Sequence, residues 1–150
     1  MNVIAADRHG EVWYSDPSTT PDLADEVDRA FEEAVTTDLL TGLFHSQRVA
    51  LLNGSDPATA WVHRDGQPFP GRTPAADLPE YSTRRCVFNS NDSYWVPAPG
   101  VRLPRHTAMA GLSGVPLSPR SRMNARVIDG RGPSGVTDGN WDIETARQAL

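Results

Sequence analysis

The sequence predicts a loop-rich α+β fold, on three observations. Two short apolar runs flank a turn near the start, a helical apolar period follows them, and 12 Gly with 13 Pro break up much of the rest. The 150 residues are enough for one modest domain. Their hydrophobic share of 38% is low for a self-sufficient one. Residues 1–150 are therefore expected to form a single partial domain that buries surface against something else.

Residues 2–16 are expected to form a β-hairpin. Val3-Ile4-Ala5-Ala6 and Val12-Trp13-Tyr14 are its apolar runs, and Asp7-Arg8-His9-Gly10 supplies turn chemistry, with Gly10 suited to positive φ. A helix is expected over residues 21–40. Thr20 would cap it, Pro21 suits its first position, and Asp22, Asp25 and Glu26 complement its dipole. Leu23, Val27, Ala30, Phe31, Ala34 and Val35 recur at i+3/i+4 spacing and form its apolar face, with Gly42 as terminator. Residues 53–104 are expected to be a loop-rich functional segment. Within it Ala60-Trp61-Val62, Arg85-Cys86-Val87-Phe88 and Tyr94-Trp95-Val96 read as short extended pieces. The C-terminal part, 118–150, should be helical around a Gly-rich linker at 129–139. Its first helix runs from Arg120 to Ile128 with Met123 and Val127 inward, and its second starts at Asp142.

Charge and composition exclude several functions. The formal charge is −5, and all 14 basic residues are Arg, scattered along the chain. A nucleic-acid partner needs a basic face, so none is expected. No apolar run approaches the roughly 20 residues that span a bilayer, so no membrane partner is expected either. The N-terminus lacks a basic stretch followed by an apolar core, which at face value places the chain in the cytoplasm; any leader would have been lost from a fragment. The single Cys86 rules out an intrachain disulfide, and the four His are too dispersed for a zinc site; no cofactor is expected. A thiol dyad of Cys86 with His45, His63 or His106 is conceivable, but a lone Cys in a strand-like run is more often a small buried residue.

Three stretches, in order, resemble the β-subunit of the penicillin acylase (penicillin amidase) family, in the branch of acyl-homoserine-lactone and aculeacin acylases. The first is Asn2-Val3-Ile4-Ala5-Ala6-Asp7-Arg8-His9-Gly10 with Trp13-Tyr14-Ser15-Asp16. The second runs from Leu51-Leu52-Asn53-Gly54-Ser55 through Trp61 to Asn89-Ser90-Asn91-Asp92-Ser93-Tyr94-Trp95. The third is Pro116-Leu117-Ser118-Pro119-Arg120-Ser121-Arg122. The resemblance implies a piece of the αββα sandwich of N-terminal-nucleophile hydrolases. It also implies cleavage of linear amides, such as acyl-homoserine lactones or penicillin-type antibiotics. Family members are usually periplasmic or secreted.

The same resemblance assigns site residues. Asn91 would be the side-chain donor of the oxyanion hole, a role an amide suits because it donates without carrying charge. Asn89 would support it from the same face of an extended strand. Arg122, with Arg120, would hold the scaffold or else begin a surface helix. Taken alone, Asn-Ser-Asn-Asp-Ser is also an ordinary polar turn. In the family the nucleophilic Ser, a His and the second donor precede the hairpin, so this chain by itself is expected to lack them and to be inactive. Gly54-Ser55 mimics a processing junction but falls where the family has a loop. The expected partners are an acyl-amide substrate and the missing α-subunit and N-terminal β-subunit portion. The competing expectation is a remnant or interaction module without activity.

Overall fold

Val12-Trp13-Tyr14-Ser15 has the β-branched and aromatic content of a strand that packs on both edges, and it is the middle strand of the sheet. In the computed structural model, which describes residues 2–47, 49–130 and 141–148, β1 (Val3–Ala6) pairs antiparallel with β2 (Val12–Ser15) across the Asp7–Gly10 turn. Asp7 fixes that turn by accepting the backbone N–H groups of His9 and Glu11 through Oδ1, each at 2.8 Å. A third strand, β3 (Glu80–Thr83), pairs antiparallel with the other edge of β2, Tyr14 standing opposite Tyr81. The sheet order is β1-β2-β3. The sequence reading missed β3, whose four residues are too short and too polar for a periodic signal.

The helix expected over 21–40 starts later and breaks earlier. Residues 20–22 are extended instead: Thr73 N–H donates to Thr20 O at 3.0 Å and Asp22 N–H to Gly71 O at 2.8 Å, with Pro21 bridged to Arg72. This pairing with a segment 50 residues away takes the backbone groups that a first helical turn would have used. Helix α1 therefore runs Asp25–Thr37, with Asp25, Glu26 and Asp28 in its first turn. Asp38 is extended (φ −107°, ψ 124°) and caps a separate helix, α2 (Leu39–Ser46), by accepting Thr41 N–H at 2.8 Å. Gly42 lies inside α2 and terminates nothing. A Cβ there would lie 2.8 Å from the Val35 carbonyl oxygen, so its role is the close approach of α2 to α1.

The loop-rich stretch forms no strand at Ala60–Val62, Arg85–Phe88 or Tyr94–Val96. Single backbone bonds remain, Val62 N–H to Asp22 O at 2.8 Å, Phe88 N–H to Pro97 O at 2.8 Å and Leu103 N–H to Trp95 O at 2.9 Å. Helix α3 spans Pro119–Ile128, capped by Ser118, with Pro119 in its first turn. Its buried residue is Ser121, whereas Met123, expected inward, is 50% exposed. The expected 129–139 linker lies largely outside the described residues, and α4 is described over Ile143–Gln148.

Two polar and apolar anchors tie helix α1 to the rest. Phe31, Ala108 and Leu112 form a small core, against which Val35, Leu52, Met109 and Val115 pack. Beside it the buried Asp28 carboxylate accepts from Arg105 Nη2 at 2.6 Å, and from Thr107 Oγ1 and the Ala108 N–H at 2.8 Å each. Both oxygens of the buried carboxylate thus have donors, one of them charged. The carboxylate fixes the path of residues 105–108 over the first turn of α1.

Candidate functional site

Asn89-Ser90-Asn91-Asp92 is a turn, not the extended strand expected. Asn91 has φ of 62°, the only left-handed non-glycine among the described residues, and its N–H donates to Asn89 Oδ1 at 2.7 Å. Such an Asx turn is what Asn chemistry favours locally, and Asn tolerates left-handed φ better than most residues. Asn89 and Asn91 therefore do not share a strand face. The contact between them is the bond from the Asn91 N–H to the Asn89 carboxamide oxygen.

The neighbours of Asn91 are anchored on both sides. Asn89 Oδ1 also accepts from Asn2 Nδ2 at 3.0 Å, and its Nδ2 donates to the Asp92 carbonyl at 3.3 Å and the Tyr14 hydroxyl at 3.4 Å. Tyr14 is fully buried on the central strand, donates its hydroxyl to Asn2 Oδ1 at 3.0 Å, and has its pKa pushed upward by burial. It is a fixed hydrogen-bonding post, not an acid. On the other side, Ser90 Oγ accepts from Asn124 Nδ2 of α3 at 2.7 Å. Asp92 Oδ2 accepts Ser118 N–H at 2.9 Å and Ser121 Oγ–H at 2.7 Å, while Asp92 Oδ1 takes the Ser93 N–H at 3.1 Å. Burial acts to raise the Asp92 pKa, yet the bonds from Ser121, Ser118 and Ser93 together hold it below the usual carboxylate range. Ser93 Oγ donates to Leu112 O at 2.5 Å, an approach that Gly111 permits because a Cβ there would meet Ser93 Oγ at 2.8 Å.

The three stretches singled out in the sequence thus meet at one node. Asn2 and Tyr14 come from the first, Asn89 to Ser93 from the second, Ser118 and Ser121 from the third. Asn91 stands exposed at its centre. The scaffold contact comes from the serines of the third stretch, whereas Arg122 is exposed on α3. The family resemblance pointed to the arginines Arg120 and Arg122 there. The signal for the serines was the Ser-Pro start of a helix, whose N-cap side chain and free N–H groups attract a carboxylate.

The remaining candidates lie in other settings. Ser55 sits in an exposed turn with its N–H on Asn53 Oδ1 at 3.1 Å. The Cys86 thiol is pushed up by burial, against the pull of Arg85, so it is poorly ionised near neutrality. The His45 ring packs edge-on to Phe31 at 6.2 Å, and His106 Nδ1 lies 2.8 Å from the Asp77 carbonyl. No group of three or more metal-ligating side chains occurs among the described residues, and none of their helices is long and apolar enough to cross a membrane. An apolar groove of about 300 Å³ lies between α1 and residues 51–59, lined by Val27, Phe31, Leu51 and Leu52. A polar one of about 370 Å³ is lined by Asp22, Asp25, Asp28 and Asp77 with Arg64 and Arg105, which pair with Asp22 and Asp28.

The sequence profile of the penicillin amidase family matches residues 1–150. Aculeacin-A acylase of Actinoplanes utahensis is 33% identical over 131 residues, covering 87% of this chain and 16% of that protein. Acyl-homoserine lactone acylase PvdQ of Pseudomonas fluorescens is 29% identical over 122 residues, or 81% of this chain and 14% of that protein. A second strain's PvdQ is 28% identical over the same length. The chain thus spans about a sixth of the length of the curated relatives it matches.

Proposed function

The chain belongs to the penicillin amidase family, and from that premise we propose that it forms the oxyanion-binding wall of an acylase that hydrolyses linear amides. Its small mixed α/β frame, with a three-stranded antiparallel sheet, is compatible with a piece of an αββα N-terminal-nucleophile hydrolase. The single observation that carries the reading is the node around Asn91. Two neighbours on each side of it are tied to the hairpin, to α3 or to the Leu112 backbone, and Asn91 itself is an exposed residue on a left-handed backbone.

That arrangement is what oxyanion stabilisation needs. As an amide carbonyl is attacked, negative charge grows on its oxygen, and a donor already in place stabilises the charge without reorganising. A carboxamide N–H donates at any working pH and brings no charge of its own into the ground state. The acyl group that the relatives' names imply they remove, from aculeacin A or an acyl-homoserine lactone, presents such a carbonyl. The nucleophile and its base belong to other parts of such an enzyme: neither Ser55 in its exposed turn nor Cys86 with its raised thiol is built for the task. By itself the chain is proposed to turn over no substrate.

A chimera tests this. This chain replaces the matched segment of aculeacin-A acylase, and deacylation is followed by product release. The chimera is expected to be active, and Asn91→Ala within it should lower kcat by roughly 10²–10³-fold with little change in KM. A loss of only a few-fold would sink the donor assignment. A folded chimera with no activity would instead favour a non-catalytic remnant.

A further inference from the structure

We propose that Asp92 is a positioning residue: docked on the first turn of α3 through Ser118 and Ser121, it holds Asn91 in the left-handed conformation that presents its carboxamide. The inference rests on Asn91 being the donor, and it gives the third matched stretch a role that its arginines do not fill.

The argument starts from proton bookkeeping. An ionised carboxylate only accepts, so Ser121 must give its single hydroxyl proton to Asp92 Oδ2. The Ser118 hydroxyl, 3.0 Å from Ser121 Oγ, must then donate to it, since Ser121 has no proton left to give. Ser118 Oγ in turn accepts the Ser121 N–H at 3.2 Å. One carboxylate therefore orients two hydroxyls and the first turn of a helix. Its second oxygen takes the Ser93 N–H at 3.1 Å, closing the turn on the C-terminal side of Asn91. Asn89 closes it on the other side by accepting the Asn91 N–H.

Left-handed φ is unfavourable for an L-residue by itself, so Asn91 stays there only while both flanks are held. Asn89 is held by the sheet through Asn2 and Tyr14. The Asp92 side chain is held by α3 and by the Ser93 N–H, while its carbonyl takes a longer bond from Asn89 Nδ2 at 3.3 Å. An Asn at position 92 cannot replace it. Its amide nitrogen would face either the Ser93 N–H or the Ser118 N–H, donor against donor, whichever way the group is flipped.

The test is NMR of the 150-residue chain. Wild type should show a strong intraresidue amide-to-α-proton NOE at Asn91, the mark of positive φ. In Asp92→Asn the ratio of left-handed to negative-φ conformers at Asn91 is expected to fall about tenfold, the scale of one charge-assisted hydrogen bond. The β1–β2 amides should be unchanged. Ser121→Ala, which keeps the carboxylate and the Ser118 N–H, should give a smaller loss in the same direction and covers the case in which Asp92→Asn does not fold. An unchanged Asn91 NOE in these variants, with α3 resonances shifted, would overturn the proposal and leave Asp92 as a plain staple for α3. In the chimera, Asp92→Asn should lower kcat and leave KM alone. A displaced Asn91 with undiminished kcat would sink the donor reading while leaving the positioning intact.

Discussion

Asn91 and Asp92 divide one task between adjacent residues, and each can be probed alone. At φ of 62° an L-residue gives up about 1–2 kcal/mol relative to its preferred basins, somewhat less for Asn. Asn91→Gly removes that strain but loosens the unfolded chain by a similar amount, so urea unfolding should shift by no more than about 0.5 kcal/mol. Asn91→Val carries a branched Cβ into the same conformation and should cost about 1–2 kcal/mol. If the two unfold alike, the left-handed turn does not form in solution. The Asp92 pKa is depressed in the fold, so its contribution is fully present above the ordinary carboxylate value of about 4 and is lost as pH falls through its lower folded value. An acid titration followed at Asn91 should show the left-handed population falling below about pH 4 in wild type, and already reduced about tenfold at neutral pH in Asp92→Asn.

The elements show where local signals hold and where distant ones override them. The apolar period of residues 27–35 was legible because it is intrinsic to the helix; the start at Asp25 was not, because Thr20–Asp22 pair with residues 71–73, 50 positions away. Nothing near Pro21 in the sequence announces that partner. The break at Asp38 carried a readable sign, since Asp with Thr three residues on is an N-cap pattern, yet the apolar Leu39 and Leu40 beyond it, with Gly42 as an apparent stop, drew the helix past it. Gly42 shows the same limit: read as a stop, it is a close-approach residue. Gly42→Ala should gain up to about 1 kcal/mol of helix propensity. It should lose more by pushing α2 off the Val35 carbonyl, for a net destabilisation of about 1–2 kcal/mol by urea unfolding. Asp28→Ala removes three hydrogen bonds but leaves Arg105 partly solvated and still paired to Glu32 at 2.6 Å, so a loss of about 1–3 kcal/mol is expected. A more stable Gly42→Ala chain would show that α1 and α2 do not pack as described.

For the molecule as a whole, the node was half legible. The sequence named Asn91 and Asn89, and through them the second stretch. It did not reveal that Asn2, Tyr14, Asp92, Ser118 and Ser121 converge on them, because those contacts span as many as 87 residues. Short polar side chains have no periodicity by which to trace such contacts. The apolar surface is unevenly used: Phe31, Ala108 and Leu112 make a small core, while Leu39 is 85% and Leu43 57% exposed on one helix. Contiguous exposure of this kind drives association. The chain is expected to self-associate with rising concentration in light scattering, and Leu39→Glu with Leu43→Glu should abolish this without changing helix content. A chain that stays monomeric at all concentrations would contradict it.

The span of the node also sets an order in time. Joining Asn2 to Asn89 and Asp92 to Ser121 closes long loops, whose entropic cost falls before any contact repays it. A ribosome emits the hairpin first and Ser121 more than a hundred residues later. On the nascent chain, then, Asn91 waits for the first turn of α3 to emerge, and the carboxamide acquires its aim as one of the last events of folding.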